Sequence, residues 1–439
     1  MALIEKPEPA ESAPARRDAG NVYDILILDA ATRQSLASAR SLGQAGLRVA
    51  LGECSAECGR SHPAPAFRSR FSSRNVVLPD IRGDGSEFGA AVVDFVRENP
   101  TRVVLPNGDG VIAALTPRRE ELAALGCVLA LAPNSALEIA NDKDRTLAVA
   151  RKLGIDCPKT MRIDSLGELP ALLSEFKFPF VLKPTTSWTE KSTGRLVPVE
   201  VINETEAVEV IQRILAAGAG VLAQQWASGR REGVSLLIAD GEVLASCAHV
   251  AYRTSPPLGG ASVMRESISA PPDIYASAVS LAVAVGIEGV CEVEFRRDAE
   301  NRPLLMEINA RLAGTIENAT RSGIDFPLLL WQWAAGLPVD RVSGYRTGVR
   351  TRWLRGDMRW LRENYQRAGR PDSVSRARAF WIFAQEFVRT SHYDCFDRHD
   401  LGPVITEAQI MIKASRKSGN RRSSAEHSPQ KGNAHENPQ

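Results

Sequence analysis

Short apolar runs alternate with helical patterns through the first third of the chain. The run Tyr23–Asp29 has the length and residue types of a buried parallel strand, and the helical pattern Leu36–Leu42 ends at Gly43. Strands that alternate with helices predict a parallel α/β layer. The alternation continues through apolar runs at 47–51, 103–106 and 128–131 and helical patterns at 88–96 and 111–125.

Two common phosphate-binding fingerprints are absent from this layer. The turn after the first predicted strand, residues 29–33, has no G-x-G-x-x-G, and no Walker A sequence occurs anywhere in the chain. The sequence therefore argues against a dinucleotide-binding Rossmann domain and against a P-loop protein.

From Asn134 onward the pattern changes to α+β. Turn dipeptides such as Asp240-Gly241 indicate antiparallel strands. Helices are predicted at 143–153, 204–216 and 326–335, and strands at 180–183, 221–226, 234–239, 243–250, 291–296 and 303–308.

Composition and charge exclude several classes of protein. The 439-residue chain has 54 Lys and Arg against 52 Asp and Glu, so no whole-protein field favours nucleic acid. No apolar run approaches the ~20 residues of a membrane helix, and the acidic N-terminus has no apolar signal segment. The seven scattered cysteines favour reduced thiols and a cytoplasmic location.

The acidic pair Glu294 and Glu307 is the strongest candidate site. If 291–296 and 303–308 form a hairpin, Glu294, Glu307 and Asn309 share one strand face, and Met306 points to the other face with the core residues. Two carboxylates and an amide oxygen suit Mg²⁺, which also takes substrate phosphates. The alternative is an ordinary solvated strand face. Arg311, just beyond the acids, could meet an anion at the edge of the metal.

Two lysines form a basic counterpart. Lys183 ends an otherwise apolar strand, where an ammonium needs a counter-charge such as a phosphate, unless it reaches water at the strand end. Lys143 lies at a predicted helix start and on its own fits a solvated helix terminus.

The segment 224–232 joins a strand to a polar turn. Its extended backbone could offer an N–H and a C=O to a purine edge, and Glu232 could accept hydrogen bonds from ribose hydroxyls. By itself this pattern is not specific.

In this order, these motifs resemble the ATP-grasp superfamily of carboxylate–amine ligases. The Glu-Val-Glu-Phe and Glu-Ile-Asn-Ala-Arg pair, at 292–295 and 307–311, is the specific part of a resemblance that covers about 22–340. The loop 256–262 resembles the branch with D-aspartate ligases and predicted exopolysaccharide-cluster ligases. The resemblance implies a Rossmann-like pre-ATP-grasp domain, a two-lobed ATP-grasp fold and a helical C-terminal extension.

That resemblance divides the chain into six segments. These are a disordered arm at 1–20, a pre-ATP-grasp domain at 21–133, a small lobe at 134–226, a large lobe with the metal site at 227–340, a basic helical extension at 341–414 and a disordered tail at 415–439.

The resemblance also implies roles, residue by residue. Lys143 and Lys183 would hold the phosphates of ATP, and Arg311 would stabilise the transferring phosphoryl group or the tetrahedral intermediate, with Lys183 assisting. Mg²⁺, or Mn²⁺ in its place, would bind Glu294, Glu307 and Asn309. The adenine would lie against Gln224, Gln225, Trp226 and Ala227, with Glu232 on the ribose. Substrate anions would meet Arg253 and Arg265 beside Gly259 and Gly260.

Three departures from the family pattern stand out. The expected lid at 185–194 is hydroxyl-rich rather than glycine-rich, which leaves Lys191 as a compensating cation. Glutamines replace the usual Glu at the adenine hinge, and Ala310 replaces the usual Pro after Asn309. No metal ligand or phosphate lysine is lost, so the expected activity is joining a small carboxylate to an amine, with both as small-molecule partners.

Several alternatives remain open at this stage. One is a non-catalytic nucleotide-binding module, and another is an ATP-grasp enzyme acting on bicarbonate. Residues 341–370 hold nine arginines against two acids, which fits contact with an anionic surface or a packed helix whose Arg stems cover apolar surface. Weaker candidates are zinc at His392, Cys395 and His399, a substrate-facing His249 and a homodimer.

Overall fold

The computed structural model describes residues 22–55, 64–83, 85–192, 195–257, 260–367, 369–371 and 373–413. The arm expected at 1–20, the tail expected at 415–439, Gly259 and the last two residues of the expected lid, 193 and 194, lie outside these residues.

The first sheet is the predicted Rossmann-like layer. Its five strands are all parallel, in the order β3-β2-β1-β4-β5, with apolar side chains buried on both faces. The edge strand β3 was not predicted, because its mostly exposed sequence SSRNVVL lacks a buried apolar run. The elements are β1 (Tyr23–Ile27), α1 (Arg33–Gln44), β2 (Val49–Cys54), β3 (Ser72–Leu78), α2 (Ser86–Glu98), β4 (Thr101–Leu105), α3 (Asp109–Leu115), α4 (Arg119–Ala124) and β5 (Val128–Leu129).

The second sheet is small and antiparallel, in the order β6-β9-β7-β8. It has its own core, built where Phe180 and Leu182 meet Ile211 and Val221. The elements are α5 (Asn134–Ala140), α6 (Lys143–Lys152), β6 (Thr160–Ile163), α7 (Leu169–Glu175), β7 (Phe180–Pro184), β8 (Val199–Val201), α8 (Glu204–Ala216) and β9 (Val221–Gln225).

The third sheet has seven strands, in the order β14-β13-β10-β11-β12-β15-β16. It is antiparallel except for the last pair. The elements are β10 (Arg231–Ala239), β11 (Glu242–Ser255), β12 (Ala261–Ile268), α9 (Pro272–Val285), β13 (Gly289–Arg297), β14 (Pro303–Asn309), α10 (Ile316–Ser322), α11 (Phe326–Ala334), β15 (Arg350–Arg352), α12 (Leu354–Gln366), α13 (Arg376–Arg389) and β16 (His392–Tyr393), and a further helix, α14, begins at 402.

One expectation about this part of the chain needs correction. The extension is not only helical, because β15 and β16 add two short strands to the edge of the large sheet. Arg265 lies in strand β12, which pairs with β11 along most of its length. None of the helices in the described ranges is long and apolar enough to cross a bilayer.

Most of the arginines of segment 341–370 form ion pairs within the protein. Arg253 and Arg352 both bind Asp357, at 2.7 Å each, and all three side chains are buried. This favours the packed-helix interpretation of the segment, and contact with an anionic surface stays a prediction. Six of the nine arginines pair with carboxylates: Arg341, Arg350, Arg352, Arg355, Arg367 and Arg370.

Removing the carboxylate shared by two buried arginines should destabilise the fold strongly. Asp357→Ala leaves Arg253 and Arg352 with less compensation in the interior, so we expect a loss of about 3–5 kcal/mol in the free energy of unfolding. Glu242→Ala, which breaks an exposed pair with Arg341, should cost ~0–1 kcal/mol. Urea unfolding of both variants measures the difference, and equal losses would contradict this account.

Candidate functional site

A cavity of about 1020 Å³ is lined by residues from all three sheets. Asp29 follows β1, Lys183 lies on β7 and Glu307 lies on β14, and all three side chains border it. A cavity that is shared by separate sheets and combines apolar walls with a few charged groups is a common position for a ligand site.

The acidic pair lies where the sequence predicts it. Glu294 and Glu307 are direct partners across β13 and β14, and Asn309 Nδ2 is 3.4 Å from a carboxylate oxygen of each. Facing carboxylates repel unless cations lie nearby. The predicted pairing of Glu294 with Glu307 is confirmed.

Met306 does not point into the core as expected. The register slips between Glu294 and Phe295, so that Phe295 pairs with Leu305 and Met306 is the extra residue of a β-bulge. Leu305 is fully buried, while Met306 lines the cavity with its Sδ 3.7 Å from Lys183 Nζ. A bulge restarts the alternation of faces, which a simple count of residues does not anticipate.

Both predicted lysines reach this acidic pair. Asp142 caps α6, and Lys143, its first residue, has Nζ 3.7 Å from Glu307 Oε2 and 3.3 Å from Ser187 Oγ. Burial lowers the pKa of Lys183 to about 8, although Glu307 opposes the shift. Burial would raise the pKa of Glu307, but Lys143 and three other cations lower it to about 2.

Arg231 is a cation of this site to which the sequence analysis assigned no role. Its Nε donates to Glu294 Oε2 at 2.8 Å, and its Nη1 donates to the carbonyl of Gly260 at 2.8 Å. Burial nevertheless leaves the pKa of Glu294 above its ordinary value. The strand was predicted to begin at 234, whereas β10 begins at Arg231. Alternation counted from Arg231 puts its side chain on the same strand face as Gly233, which is the direct partner of Glu294.

Glu292 adds a third carboxylate two residues before Glu294. It is buried, accepts hydrogen bonds from Ser235 and Thr315, and lies 3.9 Å from His249 Nδ1. Burial raises the pKa of Glu292 and lowers that of His249 to about 4. His249 lines the cavity as a neutral imidazole at physiological pH.

The predicted adenine residues border the cavity at the end of β9. Gln224 donates to Thr160 at 3.1 Å, but its buried Oε1 has no donor among the described residues. An exocyclic amino group of a purine would supply that donor. Gln225 is exposed, the Arg296 guanidinium lies 4.9 Å from the Trp226 ring centroid, and Ala227 is buried.

The carboxylate of Glu232 is hydrogen-bonded to two arginines in this structure. One carboxylate oxygen accepts from Arg230 and the other accepts from Arg297 Nε at 2.7 Å. The residue borders the cavity, and a ribose contact would have to share these oxygens, so that assignment stays a prediction.

Arg311 is held by the first sheet. Its Nε donates to Asp109 Oδ1 at 2.7 Å, at the start of α3. Burial would raise the pKa of Asp109, but Arg311 and then Arg195 lower it well below its ordinary value. The pairing anchors Arg311 at the cavity wall between two sheets.

The predicted substrate arginines are wrong. Arg253 binds Asp357 through two nitrogens, and Arg265 is fully buried with Nη2 2.7 Å from Asp394 Oδ1; neither borders the cavity. The two side chains lie on opposite faces of the sheet, because Arg253 pairs with Met264 and Arg265 pairs with Ala251 across β11 and β12, and sequence spacing does not show what covers either face. Gly260 does border the cavity, and Gly259 lies outside the described residues.

The expected lid lies across the cavity as far as it is described. Ser187, Trp188 and Ser192 line it, and a Cβ at Gly110 would lie 3.0 Å from Trp188 Nε1, so the segment packs against α3. Lys191 is exposed and packs beside Gly218, away from the cavity lining, and its compensating role stays a prediction.

The donor set suits a hard cation with phosphate ligands. In the described part of the chain, no three His, Cys, Asp or Glu side chains are arranged to hold a metal alone. A cation on Glu294 and Glu307 would complete its shell with Asn309 and ligand phosphates, which is how Mg²⁺ is usually bound. The zinc hypothesis at 392–399 loses its support.

The three-sheet architecture with one shared cavity defines a two-lobed α+β protein behind a Rossmann-like layer. Residues 241–356 match the family model described as "ATP-grasp in the biosynthetic pathway with Ter operon". The chain has the ATP-grasp fold that the motifs predicted.

Similar proteins agree with this assignment. The chain is 27% identical over 215 residues to a D-alanine–D-alanine ligase of Pseudomonas entomophila, which is 44% of the chain and 64% of that relative. It thus spans just under two thirds of the length of this curated relative. The solved L-amino acid ligase of Bacillus licheniformis has a TM-score of 0.54 at 19% identity, over 72% of this chain and 75% of that one. The biotin carboxylase of Campylobacter jejuni reaches 0.59 at 14% identity, over 75% and 74%.

Replacing Lys183 by an isosteric apolar residue should stabilise the protein near neutral pH. The pKa of Lys183 in the folded protein is about 8, so the buried ammonium is charged at lower pH. There its burial lowers the free energy of unfolding by an amount on the order of 3 kcal/mol. From pH 8 to 10.5 the unfolded chain binds more protons than the folded protein, so this cost disappears. Lys183→Met should therefore melt above wild type at pH 7, with a smaller advantage at pH 10.

Thermal unfolding at both pH values measures this effect. Lys177→Met, at an exposed position, controls for the loss of one lysine and should follow wild type. A Lys183→Met advantage that does not change with pH would contradict the assigned burial of the charge.

Proposed function

We propose that this protein is an ATP- and Mg²⁺-dependent ligase that activates a small carboxylate as an acyl phosphate and joins it to the amine of an amino acid. The observation that carries this proposal is the meeting of Lys143, Lys183 and Arg311 with Glu294, Glu307 and Asn309 around one cavity.

The chemistry needs activation because a carboxylate is a poor electrophile at neutral pH. One of its oxygens attacks the γ-phosphorus of ATP, the bond to ADP breaks, and the product is an acyl phosphate. The amine nitrogen then attacks the carbonyl carbon, phosphate leaves, and the nitrogen loses its proton. A divalent cation neutralises the phosphate oxygens when bound.

The side chains of the cavity supply position and charge. Lys143 and Lys183 offer ammonium groups to phosphate oxygens, and Lys183 is mostly charged at pH 7 because its lowered pKa is still about 8. Arg311 presents a guanidinium, fixed by Asp109, to the transferring phosphoryl group. Glu294, Glu307 and Asn309 would hold the cation, and the segment that includes Trp188 would exclude water from the acyl phosphate.

The amine acceptor is supported by the relatives rather than by the cavity. The matched D-alanine–D-alanine ligase and the L-amino acid ligase both join amino acids by name. We extend that acceptor class to this chain, with Mn²⁺ able to replace Mg²⁺ and with a cytoplasmic location for the reaction.

Nucleotide binding should depend on the acidic pair and on Lys183. Mg²⁺–ADP at ~100 times its Kd should add about 2.7 kcal/mol of stability to wild type, which raises Tm by a few degrees. Lys183→Ala and Glu307→Ala should abolish the shift. Glu300→Ala, an exposed residue of the same hairpin, should keep it.

The outcome separates the ligase from its alternatives. No shift in folded wild type at millimolar nucleotide would overturn the nucleotide site. A shift without acid-dependent ADP release would favour a non-catalytic module. Turnover stimulated by bicarbonate, with no organic acid present, would move the proposal to carboxyphosphate chemistry.

Arg311 should act on turnover rather than on nucleotide binding. Hydroxylamine can replace the unknown amine and trap the acyl phosphate as a hydroxamate, so a panel of small acids can be screened without naming the acceptor. Arg311→Gln should lower hydroxamate formation by about 10²–10³-fold, the usual cost of one transition-state contact. Its Mg²⁺–ADP shift should stay that of wild type, and a lost shift would reassign Arg311 to ground-state binding.

A further inference from the structure

Three arginines that no assigned role uses surround one indole at the wall of the cavity. The guanidinium carbons of Arg33, Arg355 and Arg359 lie 4.5, 5.2 and 5.7 Å from the ring centroid of Trp353. All four residues border the cavity that holds the acidic pair. We call these three arginines, together with Trp353, the arginine cluster.

The positive charges of the arginine cluster are only partly compensated. Arg33 binds Asp394 at 2.6 Å, but Asp394 also binds the buried Arg265 at 2.7 Å. Arg355 forms an ion pair with Glu407, with 2.6 Å between Nε and Oε2. Arg359 forms no hydrogen bond or ion pair within the described ranges, and its contact is the face of Trp353.

The surroundings of Arg359 disfavour a lone cation. Burial, and then the neighbouring charge of Arg355, lower the pKa of Arg359 from its ordinary value, while Glu363 opposes that shift. A guanidinium held beside a like charge and partly removed from water gains from an anion that binds between the two.

The arginine cluster lies close to the loop that carries Arg311. A Cβ at Gly314 would lie 2.8 Å from Arg33 Nη2, so Arg33 crosses directly over this glycine. Gly314 is three residues beyond Arg311 and immediately precedes Thr315, which donates to Glu292. One small molecule in the cavity could therefore meet Arg311 at one end and the arginine cluster at the other.

We propose that the arginine cluster is a second anion subsite, and that the acid activated by this protein carries a second acidic group, a carboxylate or a phosphate, which binds there. The inference rests on the proposed function, which places the first carboxylate beside Arg311. Arginine suits this task because its planar, permanently charged fork matches carboxylate and phosphate oxygens. The subsite replaces Arg253 and Arg265 as the source of substrate charge.

Binding of length-matched acids tests the subsite without knowledge of the true substrate. Calorimetric titrations of the full chain would use succinate and 3-phosphonopropionate, which have two acidic groups, against butyrate, which has one. Wild type should bind at least one dianion about tenfold more tightly than butyrate, and comparison of the two dianions distinguishes a carboxylate from a phosphate-like group. Arg359→Gln should reduce this preference to about unity.

Arg362→Gln is the matched control, because Arg362 is exposed on the same helix α12 and does not border the cavity. It should keep the wild-type preference for dianions. A wild type that does not distinguish dianions from butyrate, or a preference that survives in Arg359→Gln, would overturn the subsite.

Each titration is run with and without Mg²⁺–ADP. Arg359→Gln should bind Mg²⁺–ADP as wild type does. If the protein prefers dianions but does not bind nucleotide, the subsite is supported and the proposed ligase function is contradicted. If it binds nucleotide but does not prefer dianions, the subsite is contradicted and the nucleotide site of the proposed ligase is supported.

Discussion

The two carboxylates that face each other across β13 and β14 determine how the cavity is built. Glu294 and Glu307 are adjacent in a partly buried site, where like charges repel strongly. Three different segments bring cations to them: Lys143 from the start of α6, Lys183 from β7 and Arg231 from β10. Cations from α6, from the small sheet and from the large sheet thus meet at the acidic pair and compensate its charge.

The acidic pair also affects the pKa of Lys183. Lys183 loses hydration when β7 is buried, and the carboxylate of Glu307 returns part of that cost. A bound nucleotide phosphate would add a second counter-charge. The site therefore holds an ammonium whose need for an anion is not fully met by the protein itself, which is the property expected of a phosphate contact.

The sequence predicted the features that depend on local pattern. The register of Glu294 with Glu307 follows from strand alternation and a short turn, and the buried Lys183 follows from an apolar strand that ends in a charge. The bulge at Met306 could not be predicted, because one extra residue changes the face of a side chain without changing the apolar pattern. Arg231 was left without a role only because its strand was started three residues too late.

The errors at Arg253 and Arg265 have a different cause, since they depend on what covers a strand face. Asp357 and Asp394, which bind these arginines, lie more than 100 residues further along the chain. Their positions are fixed by the packing of the extension on the large sheet, through Val263, Trp360 and Ala379. Sequence spacing carries no information on such contacts.

The C-terminal extension also connects the small sheet to the large sheet, on either side of the cavity. Arg367 and Arg370 at the end of α12 bind Glu200 and Glu206 beside the small sheet, while Trp353 at its start borders the cavity. One helix thus ties the small sheet to the large one and closes a wall of the cavity. Because an acyl phosphate must be kept from water until the amine attacks, such a wall contributes to the chemistry even where its residues touch no reacting atom.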